Sequence, residues 1–279
     1  MTNKNLLTFY GLKWNPFTPD VPVEALCLSP AIASFCRRVG AQLLDGGFAL
    51  ITGDPGTGKS IALRLLSHNL SALPDVTVGV LTRPQSGLGD FYRELGQLFG
   101  VPLTPHNRWS SFAALRQKWQ AHIDSTLFRP VLLIDEAQEL SPPVVSEIRI
   151  LQSSQFDSRS LLSIVLAGDG RLTALFSRPE FLPVASRIRT RLILESTSPK
   201  ELLETLRYSL DSAGQPSLMS PALMNTLAEH ALGNFRVLSI MASDLLLAGF
   251  DRQIPQLDEK LYFELFTPKA KPRAASRPA

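Results

Sequence analysis

Two rhythms of apolar and polar residues divide this chain. Across residues 31–195, short apolar runs of strand length alternate with stretches of helical period. The runs are Phe48-Ala-Leu-Ile51, residues 76–81 (Val76, Val78 and Val80, between Pro74 and Pro84), Val131-Leu-Leu-Ile134, residues 161–167 and residues 192–194. The third has no polar residue on either face, the mark of a strand buried on both sides. Between the runs, Ile32, Phe35, Val39 and Leu43 share a helical face over residues 30–44, and Gly46-Gly47 ends that helix. Ile61, Leu63, Leu65, Leu66 and Leu70 make another. Residues 89–99 (Phe91, Leu95, Leu98) and 109–123 (Phe112, Leu115, Trp119, Ile123) repeat the spacing, and Ser141-Pro-Pro starts a further helix with a cap and a first-turn proline. Regular alternation of strand and helix predicts an α/β fold: a parallel five-stranded sheet between two helical layers, with ligands at the carboxyl ends of the strands.

From Ser198 only the helical period remains. Ser198-Pro199-Lys200-Glu201 is a capping box with proline at the first helical position, and Ser220-Pro221 repeats the start signal. Leu202, Leu203, Leu206 and Leu210 make one apolar face, and Val237, Leu238, Met241, Leu245 and Leu246 another. Residues 196–266 are therefore expected to form a small helical lid domain, with Met219, Met224 and Met241 as core filler. Residues 1–30 are aromatic-rich, proline-rich and helix-poor, and are expected to pack as an extension on the α/β fold of residues 31–195. There Tyr10, Trp14 and Phe17 could either wall an adenine pocket or simply fill a core.

Composition adds limits. The net charge is +3, yet Lys269, Lys271, Arg273 and Arg277 supply +4 within residues 267–279, leaving the body near −1, so net charge alone is no argument for DNA binding. That tail cannot bury apolar area and is expected to be disordered, either as a handle for nucleic acid or as a solubilising end. Only Cys27 and Cys36 are present, which argues against a zinc site or a disulfide framework. No apolar run approaches the ~18 residues of a membrane span, and the opening residues lead into no signal-peptide core, so no membrane association and a cytoplasmic location are expected.

The chemistry is concentrated in Gly53-Asp-Pro-Gly-Thr-Gly-Lys-Ser60, which follows the first apolar run and opens a helix. This is a phosphate-binding P-loop. Gly53, Gly56 and Gly58 let the backbone curl so that its N–H groups converge on phosphates at the positive end of the helix. Asp54, Pro55, Thr57 and Ile61 complete the nucleotide-binding stretch, Lys59 reaches the β- and γ-phosphates, and the Ser60 hydroxyl can ligate magnesium. The partner is Val131-Leu-Leu-Ile-Asp-Glu136. Asp135 can hold magnesium through its water shell, and Glu136 can polarise an attacking water, which implies hydrolysis of ATP as well as binding.

Charge developing on a transferred phosphoryl group calls for arginines. Within Ser186-Arg-Ile-Arg-Thr-Arg191, Arg187 and Arg189 are candidates for a finger reaching a neighbouring subunit, though alternation with Ile188 and Leu192 is also what the solvent face of an edge strand looks like. In Gly233-Asn-Phe-Arg236, Arg236 opens a lid helix and could reach the γ-phosphate from there. Asp169, between two glycines after the fourth strand, is either a sensor that orients water or a turn and helix cap.

With these residues in hand, the chain resembles the AAA+ ATPases, in the branch holding ExeA-type secretion ATPases and the transposition regulators TnsC, TniB and MuB. The resemblance rests on Tyr10-Gly-Leu-Lys-Trp-Asn-Pro-Phe17, the P-loop, Asp135-Glu-Ala-Gln-Glu-Leu140, residues 146–156 and Gly233-Asn-Phe-Arg236. It implies an ATP-driven homo-oligomer with sites at subunit interfaces, and Arg236 in the sensor-2 position. Gly168-Asp-Gly-Arg171 departs from the Gly-Gln-Pro expected of ExeA-like proteins, which puts the sensor-1 role of Asp169 in doubt. Since no membrane span or wall-binding domain follows the lid, the favoured expectation is a transposition regulator that assembles on duplex DNA and recruits a transposase. Arg83, Arg116, Lys118 and Arg149 are its candidate phosphate contacts. The alternatives are an ExeA-like secretion ATPase, an ATP-switched signalling protein and, more remotely, a phosphotransferase.

Overall fold

The structure, a computed structural model, describes residues 3–103 and 107–267. The chain divides into two compact units, one of residues 28–196 and one that joins residues 1–27 to residues 197–279. The basic tail residues Lys269, Lys271, Arg273 and Arg277 lie outside the described residues.

The chain starts with α1 (Asn3–Tyr10), followed in the larger unit by α2 (Pro30–Gln42), capped by Ser29, whose Oγ accepts from Ile32 N. Then come β1 (Gly47–Gly53), α3 (Lys59–Ser71), β2 (Val78–Leu81), α4 (Leu88–Phe99), α5 (Arg108–Thr126), β3 (Val131–Ile134) and α6 (Pro142–Gln152). A two-strand hairpin follows, β4 (Ser153–Ser154) with β5 (Arg159–Ser160), then β6 (Ser163–Gly168), α7 (Gly170–Phe176), α8 (Leu182–Ala185) and β7 (Ile188–Leu194).

The expected sheet is present: five strands in the order β2-β3-β6-β1-β7, each parallel to its neighbours. Its central strands are buried along almost their whole length, with Phe48, Ala49, Ile51, Val131, Ile164 and Val165 at most 1 % exposed. Phe91, Leu95, Phe99 and Trp119 of α4 and α5 belong to the core on this sheet, and Phe99 meets Trp119 edge to face at 5.2 Å.

The fifth strand is longer than its apolar run. It begins at Ile188, so Arg189 and Arg191 lie inside it, exposed, while Thr190 and Leu192 are buried. As an edge strand it buries alternate residues only, which a search for continuous apolar runs passes over.

The smaller unit contains α9 (Pro199–Ser212), α10 (Pro221–His230), α11 (Phe235–Asp251) and α12 (Glu259–Phe266). The Ser198–Glu201 capping box forms in both directions. Met219, Met224 and Met241 are buried among leucines such as Leu206, Leu223 and Leu245.

Two expectations about residues 1–30 are corrected. The segment is not helix-poor throughout, because Leu6 and Tyr10 lie one turn apart on the buried face of α1. Nor does it add its aromatic residues to the sheet's core. Tyr10, Leu12 and Phe17 are buried in the core of the helical unit, Phe9 meets Phe250 edge to face at 5.5 Å, and Tyr10 Oη donates to Leu246 O at 3.2 Å. Burial first, then the charge of Asp251, push the Tyr10 phenol up to about 12. These residues sit far from the other helices of that unit in sequence, and apolar content alone does not say which of two cores will take them.

Candidate functional site

Strand register brings the predicted residues to one end of the sheet. Ile134 pairs with Leu166, Thr52 with Gly168 and Gly53 with Leu194, so the P-loop, Asp135 and Asp169 all leave the sheet at the carboxyl ends of β1, β3 and β6.

Gly56 and Gly58 have φ of +86° and +105°, backbone that a side chain would strain, and Gly58 caps α3. Gly53 is required for space instead. A Cβ there would overlap Leu194 O and the Thr57 hydroxyl, which itself donates to Asp54 O at 2.8 Å and pins the loop. Lys59 is 7 % exposed, and its Nζ donates to Gly53 O at 2.8 Å and Asp54 O at 3.1 Å, holding the ammonium within the loop. Asp54 and Pro55 are exposed and Ile61 is half-buried in the first turn of α3.

Across from the loop, Ser60 Oγ donates to Asp135 Oδ2 at 3.0 Å. Magnesium usually takes one or two protein oxygens and completes its shell with water and substrate phosphate, so this hydroxyl–carboxylate pair fits it. Asp135 Oδ1 also accepts from Glu136 N at 2.9 Å, and Glu136 takes a left-handed backbone, φ +50°. Its carboxylate accepts from Gln138 Nε2. Gln138 Oε1 in turn accepts from Asp169 N at 3.3 Å.

Asp169 behaves as the cap that the sequence also allowed. Its carboxylate accepts from Arg171 N at 2.9 Å at the start of α7 and pairs with the Arg171 guanidinium at 2.9 Å. Hydrogen bonding to Arg171 holds the Asp169 carboxyl below its ordinary range, with Lys59 adding a smaller push in the same direction. Arg171 also reaches Glu139 at 3.0 Å. Gln138 and Arg171 were missed as site residues. The only signal was the Gln of Asp-Glu-Ala-Gln, which reads as a family marker until the turn after β3 (Ala137–Glu139) folds it back toward β6.

Arg187 and Arg189 lie elsewhere. Ile188 pairs with Phe48 at the start of β1, so both arginines sit at the amino end of β7, roughly 20 Å along the strands from the P-loop of their own chain. There Arg187 pairs with Asp157 at 2.5 Å and Arg189 faces Asp45 at 3.7 Å. Both line a cavity of about 220 Å³ with Gln152, Ser153, Asp157 and Ser160. Arg236 is exposed in the first turn of α11, whose cap, Asn234, accepts from Arg236 N at 2.9 Å.

Of the four suggested DNA contacts, Arg83 and Lys118 are exposed and Arg149 is half-buried. Arg116 is corrected. Its guanidinium donates to Ile150 O at 2.9 Å, Leu151 O at 3.2 Å and Ser153 O, and lies 5.1 Å from the Phe112 ring. It closes the carboxyl end of α6, and burial lowers its pKa.

Residues 43–176, which hold the P-loop, Asp135, Glu136 and Asp169, match a family model described as an AAA domain. The fold is the AAA+ P-loop fold. Among solved structures, the Aeropyrum pernix ORC2 protein superposes on it with a TM-score of 0.70 at 14% identity, over 90% of this chain and 70% of that one. Cdc6p from Pyrobaculum aerophilum does so with 0.69 at 13%, over 87% and 67%. At such identities the likeness is one of fold. A curated relative, General secretion pathway protein A of Aeromonas hydrophila, is 29% identical over 251 residues, which is 88% of this chain and 45% of that protein. The chain thus spans less than half of that relative. Among its described residues, no helix is long and apolar enough to cross a membrane.

Proposed function

We propose that this chain is a magnesium-dependent ATPase of the secretion-associated, ExeA-like kind, working as a homo-oligomer where ATP is supplied, in the cytoplasm. The observation that carries the ATPase reading is the 3.0 Å bond from Ser60 Oγ to Asp135 Oδ2, which joins the P-loop helix to the acidic end of β3. The secretion assignment follows the name of the curated relative. The transposition-regulator reading yields its lead to this one. One of its four proposed DNA contacts, Arg116, is engaged within the fold.

In this proposal the P-loop N–H groups and Lys59 hold the phosphates, and Ser60 and Asp135 would hold magnesium, which would supply positive charge to offset that of the phosphates. Glu136 orients and polarises the attacking water. Arg187 or Arg189, too far along the sheet to serve its own P-loop, serves a neighbour's.

The test is phosphate release by the full chain with ATP and magnesium, with and without duplex DNA. Glu136→Gln is expected to lower turnover by about 10²- to 10⁴-fold while a fluorescent ATP analogue still binds. Unchanged turnover in that variant would remove the hydrolytic assignment. Stimulation by DNA with a steep salt dependence would restore the DNA-binding reading over the secretion one.

A further inference from the structure

Between Glu136 and the end of β6 lies one side chain that the proposed reaction does not use. Gln138 sits in the turn after β3, half-buried, with both ends of its amide engaged: Nε2 donates to the Glu136 carboxylate, and Oε1 accepts the Asp169 N–H at 3.3 Å. The space for it is built in. A Cβ on Gly168 would overlap Gln138 Oε1, so the strand end carries a glycine where the amide approaches. The same turn is tied a second time, by Glu139 to Arg171, which also grips Asp169. The carboxylate expected to orient water from this strand end is thereby occupied as a helix cap, while the backbone beside it is joined to Glu136.

We infer that Gln138 is the positioning residue of this ATPase, holding the Glu136 carboxylate in register with the end of β6. The inference rests on the ATPase reading and deepens it. A carboxylate on an exposed turn has several rotamers of similar energy, and only those facing the water are productive. One hydrogen bond donated to it selects among them, provided the donor is itself anchored. Gln138 is anchored by Asp169 N, a backbone group fixed at the junction of β6 and α7. Movement of that junction is thereby transmitted to Glu136.

Amide chemistry is essential to this role, because the side chain must donate at one end and accept at the other. Gln138→Ala removes both bonds. Gln138→Asn is too short to span both partners. Gln138→Glu keeps the shape, but when ionised it presents an acceptor to the Glu136 carboxylate. Once protonated, the new carboxyl again donates by O–H and accepts by C=O. The charged groups tied to this turn are Glu136 and Glu139 on the turn, Asp135 at the strand end, Asp169 and Arg171 across from it, and Lys59 near Asp169.

The experiment measures steady-state ATP hydrolysis and binding of a fluorescent ATP analogue for the full chain and for Gln138→Ala, Gln138→Asn, Gln138→Glu and Glu136→Gln, across pH 5–9. Gln138→Ala and Gln138→Asn are expected to lose ~10- to 100-fold in kcat, with KM and analogue affinity within about threefold. Gln138→Glu is expected to be as poor at pH 8 and to recover as pH falls, moving the optimum to lower pH. Normal kcat in Gln138→Ala, or an unshifted profile in Gln138→Glu, overturns the inference while leaving the ATPase reading intact if Glu136→Gln is inactive. Loss of analogue binding in step with turnover overturns it too, since that marks a merely structural residue. Full activity in Glu136→Gln removes the ATPase reading itself and the inference with it. If Gln138→Ala does not fold, the pH profile of Gln138→Glu decides alone.

Discussion

Ser60 and Asp135 are 75 positions apart and belong to different strand–loop junctions, yet their side chains meet at 3.0 Å. Parallel pairing of β1 and β3 to either side of β6 makes this unavoidable once both strands end at the same level. Asp135→Asn is expected to lower magnesium-dependent hydrolysis by about 100-fold or more, and Ser60→Ala by less, because water can replace a hydroxyl ligand more readily than a carboxylate. Titrating magnesium against initial rate reads the effect as a raised metal requirement.

Arg187 offers a test of assembly. Arg187→Ala is expected to bind nucleotide normally and hydrolyse about 10³-fold more slowly. Lys59→Ala lacks the nucleotide contact but keeps its own arginine. Mixing the two inactive proteins should recover part of the rate if the arginine acts on a neighbour's site. No recovery at any ratio would count against action in trans.

Arg116 distinguishes a helix-closing role from a nucleic-acid contact. Arg116→Ala leaves the carbonyls of Ile150, Leu151 and Ser153 without this donor, and is expected to cost about 1–3 kcal/mol in urea denaturation. Retention of nucleic acid on the low-salt binding curve should not change. A drop in DNA affinity at unchanged stability would reverse the assignment.

Glu147 is 3 % exposed, and its carboxylate takes the Tyr92 hydroxyl and the Arg108 guanidinium, linking α4, α5 and α6. Burial first, then the hydrogen bond to Glu147, raise the Tyr92 pKa. Tyr92→Phe should cost about 0.5–1.5 kcal/mol, and Glu147→Ala more, roughly 3 kcal/mol, because it strands the phenol and leaves a cavity. Equal losses from the two would mean that the phenol, rather than the network, carries the stability.

Asp169 supplies the pH dependence. Its folded pKa is depressed below the ordinary 3.8, chiefly by Arg171, so its contribution is present above that value and is lost as pH falls through the depressed one. Asp169→Asn keeps an N-cap but loses the charge pair, whereas Asp169→Ala loses both. Thermal melts from pH 7 down to pH 2.5 should show the gap between wild type and Asp169→Asn closing below about pH 3.8.

Much of this protein was legible locally. A P-loop is a backbone conformation written in glycines at fixed spacing, and a strand buried on both faces is written as an uninterrupted apolar run, so β1, β3 and the nucleotide loop needed no tertiary information. The Ser198–Glu201 box is of the same kind, since all its partners lie within one turn. Other features depend on what a residue meets after the chain has closed. Tyr10 and Phe17 joined the helical core because complementary surface lies more than 200 residues away, Arg116 became a helix cap because α6 ends beneath it, and the start of β7 at Ile188, four residues before its apolar run, was settled by pairing with β1. Gln138 is the clearest case: its type is plain from sequence, but donor and acceptor find their partners only when β3 and β6 lie side by side. Local pattern determines which backbone can form, whereas the partner of a polar side chain is decided by packing, because its hydrogen bonds must be completed by whatever the fold brings within about 3 Å.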